Sequence, residues 1–251
     1  MRTSTDAARE AGASRAARGA GPGEGRVPLT RERILQGAVR IMDAEGLEAV
    51  TMRRLGRELG VEAMSLYNHV PGGKEAVRAG ILDTVLGEFD LPDAVGDWLD
   101  RLRHLAQAFR RLLLAHPNAL PLFAENQDPS PGALLPVEMT LEALRGAGLS
   151  VDAATDAYCT LVGFVMGSAM LEIAGLTMSH ADPERAAGKE AALRQLPLDR
   201  FPRIAEMVAN RLGCAEGTEF DFGLEILLAG FQARLQPRGA SPPAPGGDPA
   251  A

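Results

Sequence analysis

The chain has 251 residues, 46% of them hydrophobic, and carries 26 Lys and Arg against 33 Asp and Glu for a net charge of −7. Such a length and apolar content can fill a small domain followed by a larger one, and the acidic total excludes a generic polyanion binder with a uniformly basic surface. The charge is uneven, with eight Lys or Arg against seven acids over residues 26–75 and four against three over residues 1–25, so the acidity lies in the C-terminal part. A local nucleic-acid-binding end on an acidic body has this distribution.

Residues 1–28, ending in GAGPGEGRVP, are rich in Ala, Gly and Arg. They cannot bury enough apolar surface to offset their ordering entropy, which predicts a disordered arm. Arg15, Arg18 and Arg26 make it either a plain solvated tail or a basic strap that tracks a minor groove. No apolar run follows Arg2, so no secretory signal is expected. Cys159 and Cys214 lie outside any C-x-x-C pair and read as buried thiols of a reducing cytoplasm. From Thr30, the period Ile34, Leu35, Ala38, Ile41, Met42 predicts a first helix that Gly46 stops.

The stretch from Thr51 to Lys74, TMRRLGRELGVEAMSLYNHVPGGK, reads as two short helices joined by a tight turn. Thr51 caps the first through its hydroxyl. Leu55 and Leu59 share one face of it, and Arg53, Arg54 and Arg57 fall outside that stripe, where guanidinium groups reach phosphate or guanine edges. Gly60 supplies the left-handed turn. Val61 and Leu66 pack back on the two leucines, which leaves Ala63, Met64, Ser65, Tyr67, Asn68 and His69 facing outward. Tyr, Asn and His together at a helix end suit a surface laid on phosphates and base edges. With the first helix this makes a three-helix, helix-turn-helix DNA-binding domain over residues 29–75, with Thr51 among its contact residues.

At these residues a family resemblance enters: GVEAMSLYNHV resembles the recognition-helix signature of TetR-family transcriptional regulators. In that family the Tyr and His of the signature, and the Lys opening the next helix, hold DNA phosphates. The resemblance passes these roles to Tyr67, His69 and Lys74, and base reading to Ala63, Met64, Ser65 and Arg53. The chain departs from the pattern in three places. Gly56 stands where the family usually has Ala, at a cost of roughly 1 kcal/mol in an unsupported helix. Asn68 replaces a large aromatic, and Pro71-Gly72-Gly73 is one residue longer than the usual link.

Beyond Lys74 the period Ala76, Val77, Ile81, Leu82, Val85 predicts a connecting helix whose tilt moves the reading head. Pro92 breaks the chain, and Trp98 to Ala115 is amphipathic, with Trp98, Leu102, Leu105, Phe109, Leu112 and Leu113 in one stripe. His116-Pro117 ends it. A Pro-rich link is expected from Pro117 to Pro136, then a helix from Val137 to Gly146. The segment from Val151 to Leu176 interleaves bulk with Gly163 and Gly167, four apart, where another helix can approach closely. Its apolar run from Tyr158 to Leu171 is too short to span a bilayer, so no membrane partner is expected. A loop from Ser179 to Gly188 follows, then helices from Phe201 to Leu212 and Phe220 to Leu235, the last apolar nearly all round. A Pro- and Gly-rich tail, residues 237–251, is expected to be disordered.

The resemblance extends over roughly residues 29–236 and implies an all-α chain with a larger helical ligand-binding and dimerisation domain over residues 76–236. It implies a homodimer closed by a four-helix bundle of the Gly-containing helix and the final helix, with Gly163, Gly167, Phe222, Leu227 and Phe231 at the interface. Two recognition helices then sit ~34–36 Å apart on an inverted repeat. It also implies a cavity for a small hydrophobic effector that releases a repressor from DNA. By position and chemistry, His104, Phe109, His116, Asn118, Phe123, Met139, Tyr158 and Met166 are the candidate lining residues. A ligand-requiring activator and a protein–protein adaptor that kept the helix-turn-helix shape are the alternatives. No enzyme is expected: His69, His104, His116 and His180 form no HExxH pair, and there is no zinc-ligand spacing, G-x-S-x-G or phosphate-cradling glycine loop. Neither a metal nor a cofactor is expected.

Overall fold

A computed structural model describes residues 28–89, 96–125, 131–177, 183–211 and 218–235. Arg15, Arg18 and Arg26 of the arm, Pro92, Cys214, His180 and the tail from residue 237 lie outside the described residues. Eleven α-helices and no strand occur among those described: α1 (Arg31–Glu45), α2 (Met52–Leu59), α3 (Ala63–Leu66), α4 (Gly73–Leu86), α5 (Trp98–Ala115), α6 (Leu120–Glu125), α7 (Pro131–Gly146), α8 (Val151–Ile173), α9 (Pro183–Arg194), α10 (Pro202–Arg211) and α11 (Thr218–Leu235).

Local cap chemistry sets the starts of α1, α2, α5 and α8. The hydroxyls of Thr30, Thr51 and Ser150 accept the backbone N–H of Arg33, Arg54 and Ala153, each three residues on. Asp97 and Asp100 form a reciprocal capping box at the start of α5. Gly60 stops α2 in the left-handed region at φ 67°.

Two apolar cores share α5. The first gathers α1, α2, Leu66 of α3 and the inner face of α4, and takes in Leu105, Ala108 and Leu112 of α5. The second gathers Leu102, Ala106 and Leu113 of α5 with the buried faces of α7, α8 and α11. Helix α4 crosses α1 at Gly80, where a Cβ would lie 2.5 Å from Leu35, and its far end packs on α6 and α7. The boundary expected between residues 75 and 76 therefore falls inside one continuous helix.

Four expectations change. The link from Pro117 to Pro136 is largely helical, because Pro131 suits a first helical turn and Pro136 costs only the partner of the Gly132 carbonyl one turn back. The loop expected through Gly188 is helical from Pro183 onward, since PERAAGKEAALR is built of strong helix formers after a starting proline. Cys159 is an exposed free thiol on α8, not a buried one. The run from Tyr158 to Leu171 sits inside a helix of 23 residues that is long and apolar enough to cross a membrane by length and composition alone. Its Ala154, Ala157, Leu161, Val165 and Ala169 are instead buried in the second core.

Candidate nucleic-acid interface and effector cavity

The reading head is rigid underneath and polar on top. Leu55, Leu59 and Leu66 are buried together, with Val61 packed against them. Gly56 explains how closely α2 and α3 approach: a Cβ there would lie 2.8 Å from the Val61 carbonyl oxygen and 3.2 Å from the Ala63 nitrogen. The same carbonyl-rich corner is held by the Val61 N–H donating to the Gly56 carbonyl at 2.9 Å. The glycine is supported by this contact, so its helix-propensity cost is the condition of the tight turn.

Above that floor, Met64 (75% exposed) and Tyr67 (44%) project outward, alongside exposed Arg53, Asn68 and His69 and half-exposed Ala63. The Ser65 hydroxyl donates to the Glu62 carbonyl at 2.6 Å. Thr51 is occupied as a cap. Gly72 and Gly73 have φ of 97° and 63°, and a Cβ on Gly73 would lie 2.8 Å from the Tyr67 ring. The long Pro71-Gly72-Gly73 link thus seats the tyrosine against the start of α4 and keeps Lys74 in its first turn, 3.7 Å from Glu48. Arg54, for which a solvated and a DNA-bound role were equally open, is taken up within the head: its guanidinium pairs with Glu45 at 2.6 Å and Glu58 at 3.0 Å, tying α2 to α1. The hydrogen bond from Arg54 holds the Glu45 carboxyl below its usual range.

Between α4, α5, α6, α7 and α8 lies a cavity of about 290 Å³. Of the candidate residues, Phe109, Phe123, Tyr158 and Met166 line it. Sequence reasoning missed Leu82, Leu86 and Phe89 at the far end of α4, Leu105 and Ala106 on α5, Ala133, Pro136, Val137 and Thr140 on α7, and Leu161, Val162 and Val165 on α8. Leu82, Leu105, Leu161, Val162 and Val165 read only as apolar helix positions, and Ala133 and Pro136 fell in the expected Pro-rich link. Phe109 meets Phe123 edge-on, with centroids 5.8 Å apart, and Phe89 at 6.4 Å. Burial, with Cys159 adding to it, pushes the Tyr158 phenol up, so it stays protonated as a donor.

Four expected lining residues are elsewhere. His104 is exposed, with Nδ1 2.8 Å from the Asp100 carbonyl of its own helix. Met139 packs on the first core without lining the cavity. The Asn118 side-chain amide donates to the Met42 carbonyl at 2.9 Å. His116 is buried between two carboxylates, with Nδ1 3.0 Å from Asp43 of α1 and Nε2 3.0 Å from Glu88 just past α4. Burial pulls the imidazole pKa down, but the hydrogen bonds to Asp43 and Glu88 outweigh it and the net shift is upward. His116 and Asn118 thus fasten the ends of α1 and α4 to the body.

The outer faces of α8 and α11 are apolar and exposed: Phe222 (64%), Ile226 (56%), Met170 (56%) and Leu171 (51%). Gly163 and Gly167 belong to this surface, and a Cβ on either would meet nothing within 4 Å. Phe231, expected there, points inward beside Leu224 and Leu228, because it follows Leu228 by three residues on the buried stripe. Leu227 is partly buried against the same core. Within the chain the close approach of α11 to α8 occurs at Gly223, against the Phe164 ring.

No group of three or more His, Cys, Asp or Glu able to hold a metal occurs among the described residues. Residues 34–79 match the family model of bacterial regulatory proteins of the tetR family, and residues 91–235 match that of the tetracyclin repressor-like C-terminal domain. The HTH-type transcriptional repressor DrrR1 of Streptomyces coeruleorubidus is 32% identical over 236 residues, covering 88% of this chain and 85% of that protein. The crystal structure of ActR from Streptomyces coelicolor in complex with actinorhodin superposes with a TM-score of 0.68 at 30% identity, over 83% of this chain and 99% of that one. BioQ, solved with its natural double-stranded DNA operator, superposes with a TM-score of 0.56 at 25% identity, over 82% of this chain and 99% of that one. A helix-turn-helix head and a helical ligand-binding body, matched along almost the whole described chain, place this protein in the tetR family of bacterial transcriptional regulators.

Proposed function

We propose that the chain is a cytoplasmic homodimeric repressor that binds an inverted-repeat operator and leaves it when a small hydrophobic effector fills the cavity. The observation that carries this reading is α4: one helix bears Lys74 and the Tyr67 seat at its start and the cavity residues Leu82 and Leu86 in its last turns. Phe89, just beyond, extends the same wall. A guest that alters this wall acts on a helix whose other end supports the reading head. Coupling of ~1–3 kcal/mol is typical of such devices, and it arises only if the guest prefers the non-binding arrangement. On this reading residues 29–75 read DNA, and residues 76–236 bind effector and partner.

The dimer reading rests on the exposed face of α8 and α11, where Gly163 and Gly167 leave room for a facing helix beside Phe222 and Ile226. Contiguous apolar surface of this kind marks an association site. The likeness to DrrR1, ActR and BioQ supports repression, small-molecule binding and operator binding in that order.

The test is selection of duplexes from a random pool by wild type and by Arg53→Ala, Tyr67→Ala, with sedimentation of wild type and Phe222→Glu, Ile226→Glu. An inverted repeat recovered only by wild type, and a dimer lost in the α11 variant, are the expected results. Operator affinity should fall ~10³–10⁵ between 50 and 200 mM salt if ~6–10 phosphates are contacted. Enrichment of the same sequence by the double Ala variant, or affinity indifferent to salt, removes the reading head from the account.

A further inference from the structure

Between α1 and α2 the chain makes a single 3-10 turn, Leu47–Ala49. Leu47 and Val50 are buried in the first core and Ala49 packs against it, so the Glu48 side chain between them points out, 84% exposed. Its carboxylate meets two cations of α4. One oxygen lies 3.3 Å from the Arg78 guanidinium and the other 3.7 Å from the Lys74 ammonium. The Arg78 side chain is sheltered, at 15% exposed, whereas that of Lys74 is 42% exposed. The two cations stand four residues apart on α4, one above the other on the same side, and Leu82 of the cavity wall is one turn further on.

Three charges in this order behave asymmetrically. The sheltered guanidinium keeps the carboxylate in place, and the solvated ammonium is the member that can exchange its partner. A DNA phosphate arriving at Lys74 brings the same charge and the same kind of acceptor oxygen as the carboxylate already there, and the two compete for the ammonium's three N–H donors. Once displaced from Lys74, the carboxylate stays beside Arg78, where its charge faces the phosphate that replaced it.

We propose that Glu48 is an internal competitor for the phosphate contact at Lys74, positioned by Arg78, and that it holds the affinity of the reading head below what its cations alone would give. This rests on Lys74 anchoring a DNA phosphate. It adds to the DNA interface two positioning residues that lie outside the stretch from Thr51 to Lys74. Because the contest is over phosphate, it acts on every duplex alike and leaves the preferred operator sequence unchanged.

The experiment titrates the full chain as wild type, Glu48→Gln, Lys74→Gln and the double variant against a labelled operator from the duplex selection and against a scrambled duplex, by fluorescence anisotropy. It is run at roughly 50 mM salt, where exposed pairs are little screened. Gln keeps an oxygen for Arg78 to donate to, so the turn should hold; Glu48→Ala replaces it if thermal melts show the Gln variant unfolded. Glu48→Gln should tighten both duplexes by one common factor, roughly 1.5- to 5-fold per head, the worth of an exposed pair, and so about 2- to 25-fold for a dimer with both heads engaged. A merely structural Glu48 gives no gain. Lys74→Gln should weaken both duplexes, and adding Glu48→Gln to it should return little of the gain, since the two residues act through one contact. If Lys74→Gln weakens binding but Glu48→Gln leaves it unchanged or weaker, the proposal falls and the phosphate anchor stands. A gain that survives intact beside Lys74→Gln, or one confined to the operator, overturns the proposal in the same way. Lys74→Gln without effect on either duplex removes the anchor and the proposal together.

Discussion

Replacing His116 by leucine keeps the side chain's bulk and removes the two contacts that fasten α1 and the end of α4 to α5. A neutral imidazole has one N–H, so meeting carboxylates at 3.0 Å on both nitrogens requires the imidazolium. A hydrogen bond to a charged group contributes ~1.5–3 kcal/mol. The Asp43 contact, with that side chain 32% exposed, takes the lower part of this range, and the Glu88 contact, at 53%, is screened toward an exposed pair. Together they predict a loss of about 2 kcal/mol near pH 6, where the clamp is fully charged. Because the folded pKa lies above the unfolded 6.5, this stability is complete below pH 6.5 and disappears as pH rises through the folded pKa. Urea midpoints followed by circular dichroism at about pH 6 and pH 9, at fixed protein concentration, read the effect. The leucine's apolar burial counts equally at both pH values, so the shrinking of the difference isolates the clamp. A difference that is constant or grows toward pH 9 refutes a charged His116.

Three further outcomes follow from close contacts in the structure. Gly56→Ala gains ~1 kcal/mol of helix propensity but drives a Cβ to within 2.8 Å of the Val61 carbonyl oxygen, so a net destabilisation of roughly 1 kcal/mol is expected in thermal melts, and a raised Tm would contradict the packing argument. Gly73→Ala must hold φ 63° and displace the Tyr67 ring, so operator affinity in a gel-shift titration should fall well beyond what the drop in Tm explains; unchanged affinity would show that the tyrosine seat is irrelevant to binding. Arg110 and Glu172 form a bidentate pair at 2.7–3.1 Å whose side chains are 16% and 17% exposed, with the guanidinium 5.1 Å from the Phe220 centroid. Arg110→Met should cost about 2–3 kcal/mol, less than a fully buried pair, while Arg110→Met, Glu172→Leu should recover most of it; a double variant as unstable as the single would mean the loss is packing and not a stranded carboxylate.

Much of the fold could be read from the residues because it is written in short-range chemistry. Thr30, Thr51 and Gly60 act within one turn of themselves, so their roles need no knowledge of the rest of the chain. Pro136 misled because a proline is judged by its neighbours: five residues after the helix start it strands only a first-turn carbonyl. The cavity was half legible. Phe109, Phe123, Tyr158 and Met166 stood out by position and chemistry, but Leu82, Leu86 and Phe89 continue an ordinary apolar period, and only the packing of α4 on α6 and α7 turns that period into a wall. For His116 a ligand contact and a structural role were both open, because its partners lie 73 and 28 residues away in sequence, where no local pattern points.

Asn118 and His116 meet the chain at adjacent positions, the Met42 carbonyl and the Asp43 carboxylate, at the very end of α1. On the proposed reading of effector release, that corner would act as a pivot for the head. Helix α4, with 14 residues, is an arm of ~21 Å, and a swing of ~5° about its cavity end carries its start by ~2 Å. A hydrogen bond between a reading-head residue and a phosphate does not survive being stretched that far. On the proposed reading, the size of the motion needed at the cavity is set by leverage, and a guest that shifted Phe89 by a fraction of an ångström would be enough.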